Sequence, residues 1–490
     1  MKRYKIITLL FATVLFVTAC KKSWLDINQN PNNPESAPYN LTLPSAIGAI
    51  GYTMGDQFQI WGNIWSQSWT QGPTAGQYKS WDRYIQSSTE MDRPWQQMYS
   101  DALTDLDNTI ASASKKDATG NDRQDYVAVA KILRSYTYQV LTDAYGDIPY
   151  AEALQGVTNT SPKYSTQETV YKGIIASLNE AITTIEDPLL VKHPGSDDLI
   201  FGGDMTLWYE FANTLRLKCY LRLSNIPSYN AFCKAGVEEC FANGYFIGQG
   251  EDVQIKFFDK QFNANPLNTT IKALSVANII ASRIDKYFAK ATTGGSAGAH
   301  NGIKQGTGEL LANPATLTHT NYSLPSYNVG GTGGESTTLT GKTAPVVLMS
   351  AEESFLLQAE ADLRFVLGAD AKALYESGIK AGFAHWGLLA ADATAYIAGP
   401  GAYPTTGTTD QKAEKIATEK WYSMCGTQGF ESWTEFRRTK YPSFLTPSAS
   451  SQLGAGNYPA RFVYPSVEST RNTNMPAGKT LTSKVWWDTK

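Results

Sequence analysis

Apolar residues recur at three- and four-residue intervals along most of this chain, and that spacing confines it to a body of packed helices. Leu103, Leu106 and Ile110 mark one segment, Pro94 to Ala113, and Val129, Ile132, Leu133, Tyr136 and Val140 mark the next, Tyr126 to Asp143. Side chains three and four apart share one helical face, so each segment carries an apolar stripe that another element must cover. The same spacing runs through Leu43 to Trp69, Thr166 to Ile185, Leu207 to Leu223, Tyr229 to Ala242, Leu267 to Tyr287, Pro345 to Val366, Ala371 to Leu388 and Thr409 to Cys425. Helices following one another in pairs predict a mainly α fold of tetratricopeptide-like helix pairs, with long irregular loops and few short strands. The tetratricopeptide consensus of roughly 34 residues is not matched cleanly.

Two stretches depart from this pattern. Residues 291–345 are rich in Gly, Ser, Thr and Asn, with Gly294, Gly295, Gly330, Gly331, Gly333 and Gly334, and read as loop with short strands. A loop of that length inside a compact body is usually functional or mobile. The tail from Tyr441 to Lys490 is rich in Pro, Ser and Asn and is expected to be irregular.

The N-terminus reads as an export signal of the lipoprotein type, an ordinary secretory signal with a chance Cys being the alternative. Lys2, Arg3 and Lys5 precede the uncharged apolar run Ile6 to Val17, which is shorter than the roughly 20 residues a membrane-spanning helix needs. It closes on Val17, Thr18, Ala19 and Cys20, which resembles a bacterial lipobox, the usual Leu being replaced by Val17. Residues 1–19 are thus expected to be removed and Cys20 to be acylated. Each buried methylene contributes about 0.8 kcal/mol, so an anchor of several chains holds a protein to a membrane. Residues 20–40, with Asn28, Asn30, Pro31, Asn32, Asn33 and Pro34, form a polar tether, and 41–490 form a single body.

Composition excludes some functions. Net charge is -3, and no basic cluster in the mature body exceeds Lys115-Lys116 or Arg437-Arg438, so no nucleic acid partner is expected. Cys219, Cys233, Cys240 and Cys425 show no zinc-type spacing and are expected to be buried thiols, a bridge from Cys219 to Cys233 or Cys240 staying open. The four His, at 193, 300, 319 and 385, form no HExxH pair and read as surface or loop residues. Gly341-Lys342-Thr343 lacks the earlier Gly of a phosphate-binding loop, that position being Ser336. Asp105 and Asp107 offer a calcium-type pair but read as a solvated helix face. No cofactor or metal is expected.

Between Gln59 and Trp81, the rings of Trp61, Trp65, Trp69, Tyr78 and Trp81 alternate with the amides of Gln59, Asn63, Gln67, Gln71 and Gln77. A pyranose packs its apolar face on an aromatic ring and pairs its hydroxyls with carboxamides, so rings and amides together suit a sugar. Trp61 and Trp65 also share one helical stripe and are assigned to the core. Trp69, Gln71 and Tyr78 flank the helix-breaking Gly72, Pro73 and Gly76 and are the candidates for a pocket. Tyr322 and Tyr327 in the Gly-rich region are candidates for its opposing wall.

Several segments together resemble the SusD/RagB family of nutrient-binding outer-membrane lipoproteins. Leu25-Asp26-Ile27-Asn28 with Asn30-Pro31-Asn32-Asn33-Pro34 resembles the segment after the anchor. Thr142-Asp143-Ala144-Tyr145-Gly146-Asp147-Ile148-Pro149-Tyr150, with Glu152-Ala153-Leu154, matches a family motif in which Gly ends a helix and Pro enforces extended chain. Ala351-Glu352 through Ala359-Glu360-Ala361 to Arg364 resembles a further family helix. Gly429-Phe430-Glu431-Ser432-Trp433 through Phe436-Arg437-Arg438-Thr439-Lys440-Tyr441-Pro442 resembles the most specific signature, with Lys440 where Gly is expected. Pro459 to Arg461, Tyr464-Pro465, Glu468 and Asn472 to Asn474 resemble the C-terminal segment.

The resemblance implies a non-enzymatic lipoprotein on the outer face of the outer membrane. It would capture oligosaccharides and close over a SusC-like TonB-dependent transporter, with oligopeptide capture on the same scaffold as the alternative. A surface glycoside hydrolase and a structural partner without ligand contacts are the remaining readings; the former needs two carboxylates flanking an aromatic cleft. Glu431, Trp433, Arg437 and Arg438 suit buried pairing, with bidentate Arg geometry, and are assigned a structural role.

Overall fold

The computed structural model describes residues 37–72, 77–116, 122–273, 305 and 324–490, and the backbone of 279–281. The signal segment, Cys20, most of the tether and Tyr322 lie outside the described residues, as do His300 and His319. The longer helices are α1 (Tyr39–Gly55), α2 (Gln57–Trp65), α3 (Thr104–Ala113), α4 (Gln124–Tyr145), α5 (Gln167–Glu186), α6 (Met205–Leu223), α7 (Asn230–Asn243), α8 (Ala351–Phe365), α9 (Ala371–His385), α10 (Thr409–Ser423) and α11 (Gly429–Thr439). α4 packs along α5, α6 along α7 and α8 along α9, each helix against its successor, which is the expected paired architecture. Strands are short and all antiparallel: β1 (Trp69–Gln71) with β5 (Ile279–Ala281), β2 (Ile148–Pro149) with β3 (Tyr164–Ser165), and β4 (Val253–Ile255) with β6 (Val346–Met349).

Local chemistry sets the helix ends. Thr166, Asp204 and Ser350 each accept a backbone N–H in the first turn of α5, α6 and α8, and Thr408 forms a capping box with Gln411 at α10. α4 stops at Gly146, whose φ of +79° is open to glycine, and Ile148–Pro149 is extended as its motif requires. α11 stops at Lys440, held at φ +63° in the position where Gly was expected. Its Nζ compensates by donating to Arg437 O at 2.6 Å and to Asp488 Oδ1 at 2.7 Å.

Three helical segments are shorter than the periodicity predicts. Leu43 to Trp69 breaks at Asp56 (φ −116°, ψ −98°) into α1 and α2, and its end becomes β1. Pro345 to Val366 begins as β6, because Val346 to Met349 pairs with β4 and is buried on every residue. Within Leu267 to Tyr287 the described residues are helix at Pro266–Ala273 and strand at β5, while 274–278 and 282–287 lie outside the described residues. In all three, β-branched or aromatic residues that fit an apolar helical stripe fit a strand equally well. The tail is irregular apart from Ser466–Arg471.

The core joins distant parts of the chain through rings. Phe58, Trp61 and Trp65 of α2 meet Phe462, which stacks on Trp433 at 5.2 Å with the planes 13° apart. Trp61 and Trp65 are fully buried, as assigned. α2 and α11 approach at two glycines: a Cβ on Gly62 would stand 2.0 Å from Phe430 N, and one on Gly429 would stand 2.4 Å from Asn63 N.

Beside these rings lies a buried ion network. Arg222 bonds Glu431 Oε1 at 2.6 Å and also bonds Glu435, while Lys218 reaches Glu353 at 2.7 Å. Arg438 forks onto both oxygens of Glu360 and pairs with Glu435 at 2.8 Å. Arg437 departs from the expected carboxylate pairing: it donates to Asp143 O and Ala460 O and lies 3.6 Å from the Trp433 ring centroid. Thus the signature residues hold α4, α6, α8 and α11 together. Cys219, Cys233, Cys240 and Cys425 are buried free thiols, and burial pushes Cys233, Cys240 and Cys425 up to about 12, so they stay protonated and unreactive.

Candidate functional site

The chain leaves α2 through Gln67, at φ +64°, and extends as β1, so Trp69, Thr70 and Gln71 stand on a strand rather than on a helical stripe. The partner strand is β5, with Trp69 opposite Ala281 and Gln71 opposite Ile279. This pairing joins the ring-and-amide segment to the chain that leads into the Gly-rich region. Trp69 and Gln71 are each 2 % exposed, and Thr70 donates to Asp82 Oδ2 at 2.7 Å. Trp69 packs under Gly426 and Val329: a Cβ on Gly426 would lie 3.6 Å from Trp69 Cζ2 and 3.5 Å from Val329 Cγ1.

Of the amides interleaved with these rings, three serve the backbone. Gln59 Nε2 donates to Gly426 O at 2.6 Å, Asn63 Oδ1 accepts from Gly426 N at 2.8 Å, and Gln67 Nε2 donates to Thr446 O at 2.7 Å. A buried amide must be hydrogen-bonded, and these are bonded to loops that frame the strand. They position the site without facing it.

Tyr78 is half-buried, takes φ +65° at the start of the turn Lys79–Asp82, and packs on Trp81 with centroids 4.6 Å apart and the planes tilted by 46°. Burial, reinforced by the nearby Asp56 carboxylate, pushes its phenol well above the usual range. Asp56 accepts from Thr270 Oγ1 at 2.8 Å, and burial raises its carboxyl against that bond. Tyr327, also half-buried, opens the turn Tyr327–Val329, capped by Ser326 Oγ, and Val329 O accepts from Gln59 Nε2 at 3.3 Å. Asn265 backs this turn, donating to Ala344 O at 2.9 Å and standing against Gly330, where a Cβ would come within 2.2 Å of Asn265 Oδ1.

Two residues that position this region carry no motif. Glu335 accepts from Gly341 N at 2.9 Å and Asn268 Nδ2 at 3.2 Å and pairs with Lys272 at 3.1 Å, fastening the loop 324–344 to the helix Pro266–Ala273. Those partners outweigh desolvation and hold its carboxyl below the usual range. Gln305 is buried and pinned from both sides, donating to Ile64 O at 2.7 Å and accepting from Tyr84 Oη at 3.0 Å. A single Glu or Gln in a Gly-rich stretch has no pattern to reveal it.

The other side chains singled out lie elsewhere. Asp105 and Asp107 sit in the first turn of α3, and Asp107 pairs with Arg134 at 3.6 Å, as a solvated helix face does. Glu210 lies beside Glu251 and is raised to about 7, by desolvation first and then by that neighbour's charge. No described helix is long and apolar enough to cross a membrane.

The comparisons with known proteins agree with this architecture. A SusD-like family model, described as starch-binding associating with outer membrane, matches residues 31–465. A solved chitin-binding protein is similar at 24% identity and a TM-score of 0.74, over 92% of this chain and 100% of that one. A chitin-binding SusD homolog from Flavobacterium johnsoniae has 21% identity and a TM-score of 0.69, over 90% of this chain and 98% of that one. A SusD-like protein from Bacteroides thetaiotaomicron has 21% identity and a TM-score of 0.73, over 92% and 98%. Among curated proteins no match to this chain is found.

Proposed function

The chain belongs to the SusD-like family, and from that membership we propose that it captures oligosaccharides at the cell surface and passes them to a SusC-like TonB-dependent transporter. The contacts of the ring-and-amide segment with Val329 carry this reading: Gln59 donates to Val329 O at 3.3 Å and Gly426 lies against both Trp69 and Val329, which sets the segment beside the turn that holds Tyr327. In the proposed site Tyr78 and Tyr327, both half-buried, offer ring faces to the sugar, and Tyr322, outside the described residues, stays a candidate from its sequence position. Trp69 and Gln71 act from beneath, closing the floor of the strand. The family's starch-binding description and the chitin-binding names of two structural relatives support a polysaccharide over a peptide.

Binding needs no catalytic group, and the family's description is one of binding; the protein is therefore read as a receptor rather than a hydrolase. Cys20 would carry the lipid anchor, with the segment to residue 40 as tether, in keeping with the family's outer-membrane association.

Calorimetric titration of the chain carrying Cys20→Ala with malto-oligosaccharides, chito-oligosaccharides and oligopeptides tests the reading. Saturable binding of an intact oligosaccharide, weakened about tenfold or more in Tyr327→Ala, is expected; each stacked ring contributes on the order of 1 kcal/mol beyond its buried area. Binding to peptides alone would overturn it in favour of peptide capture, and cleaved ligand would overturn the receptor assignment.

A further inference from the structure

A second cluster lies at the start of α8, in residues from three separate segments. Asp252 immediately precedes β4, Glu352 is in the first turn of α8, and His385 ends α9. His385 Nδ1 stands 3.4 Å from Asp252 Oδ2 and 3.8 Å from Glu352 Oε1, and one donor atom from each of the three lies within 4.8 Å of the others.

Glu352 makes this more than an ordinary ion pair. It is 0 % exposed, and neither carboxylate oxygen has a hydrogen bond of normal geometry; His385 stands 3.8 Å away, with its own N–H and Ser350 close by. The adjacent Glu353, equally buried, has Lys218 at 2.7 Å. A buried carboxylate without a close donor is destabilising, and an ion bonded directly to it would compensate it better than the imidazole 3.8 Å away does. Asp252 is already oriented: its other oxygen accepts from Ala351 N at 2.7 Å. Such an outer bond is what fixes a metal-ligating carboxylate.

We propose that Asp252, Glu352 and His385 form a binding site for a divalent transition-metal ion of the zinc class, with Oδ2, Oε1 and Nδ1 as ligands. Bonds of about 2.0–2.2 Å in a tetrahedral arrangement place donor atoms about 3.3 Å apart, so the separations here close by a few tenths of an ångström at most contacts. An imidazole nitrogen with two carboxylates suits zinc over calcium or magnesium, which favour all-oxygen shells. The two carboxylates match the charge of the ion. Three protein ligands leave a fourth position for water, and the ion would tie β4, α8 and α9 at one point.

Titration of metal-free chain, Cys20→Ala, with zinc chloride provides the test. One ion per chain with micromolar or tighter affinity and a rise of several degrees in Tm are expected. His385→Gln and Asp252→Asn should each weaken binding at least tenfold, and the partly exposed Asp252 keeps its folding role as the asparagine, whose carbonyl still accepts from Ala351. Glu352→Gln should raise the metal-free Tm while losing the zinc response, a combination a purely structural carboxylate would not give. Cobalt(II) in place of zinc should show no thiolate charge-transfer band. Absence of saturable zinc binding, unchanged affinity in both His385→Gln and Asp252→Asn, a thiolate band, or tighter binding of calcium than of zinc would each overturn the assignment.

Discussion

Arg438 and Glu360 face each other through two parallel hydrogen bonds, Nη1 to Oε1 at 2.9 Å and Nη2 to Oε2 at 2.6 Å, both side chains being buried. The fork locks the last turn of α11 onto the middle of α8. Planar guanidinium and carboxylate match in this geometry, and an ammonium cannot reproduce it. Arg438→Lys keeps the charge but loses the fork and is expected to cost about 1–3 kcal/mol; Glu360→Gln removes the carboxylate that Arg438 and Arg364 share and is expected to cost about 3–5 kcal/mol, both read as a lower urea midpoint at unchanged slope.

The same pair sets an acid limit. Desolvation would raise the Glu360 carboxyl, but Arg438 and Arg364 outweigh it and hold the group at about 2, below its ordinary value of 4.5. A carboxyl depressed on folding stabilises the protein fully above its unfolded pKa, and that contribution fades as pH falls from about 4.5 to about 2. The predicted slope of stability against pH in that window should be shallower in Glu360→Gln, by an amount that integrates to a few kcal/mol. Chemical denaturation at pH 3 and pH 6 measures it.

Gly62 and Gly429 set how closely α2 and α11 can lie. With a Cβ 2.0 Å from Phe430 N in one case and 2.4 Å from Asn63 N in the other, the neighbour is backbone and cannot rotate away. Gly62→Ala must separate the two helices and disturb the Trp65–Trp433 and Trp433–Phe462 contacts. It should cost more than about 3 kcal/mol, the scale of severe overpacking. Gly48, with nothing near its Cβ position, is the control: Gly48→Ala in α1 should stabilise by up to about 1 kcal/mol, and thermal melts of the two variants should move in opposite directions.

These elements differ in how far the sequence discloses them. Val129 to Val140 repeats its stripe over three turns and becomes α4; Thr166 and Asp204 lie directly before their helices and cap them. Such signals are local, which is why they can be read in one dimension. Val346 to Met349 carries no local mark of being strand, because the decision belongs to β4, about ninety residues earlier in the chain. The signature Glu431 to Arg438 announces buried charge, yet which arginine forks depends on Glu360 and Asp143 from other helices. Likewise Asp252, Glu352 and His385 have no metal-type spacing, since a strand and two helices bring them together. At the β1–β5 edge the rings were visible as a cluster, but Gln59, Asn63 and Gln67 look like ligand amides until their backbone partners are known.

Glu335 separates positioning of the site from contact with its ligand. It fastens the loop 324–344 to Lys272, Asn268 and the Gly341 amide, yet its surroundings are only partly buried and its ion pair is exposed enough to contribute under about 1 kcal/mol to global stability. The loop, however, carries Tyr327, and freeing it adds an ordering cost to every binding event. Glu335→Ala is therefore expected to leave Tm within about 2 °C while weakening oligosaccharide binding several-fold, with a less favourable entropy of binding by calorimetry. Glu335→Gln keeps one acceptor for Gly341 N and should fall between the two. Tyr327→Ala should lose affinity chiefly in enthalpy instead. Equal affinity in Glu335→Ala and the parent chain would show that this loop does not form the wall of the binding site.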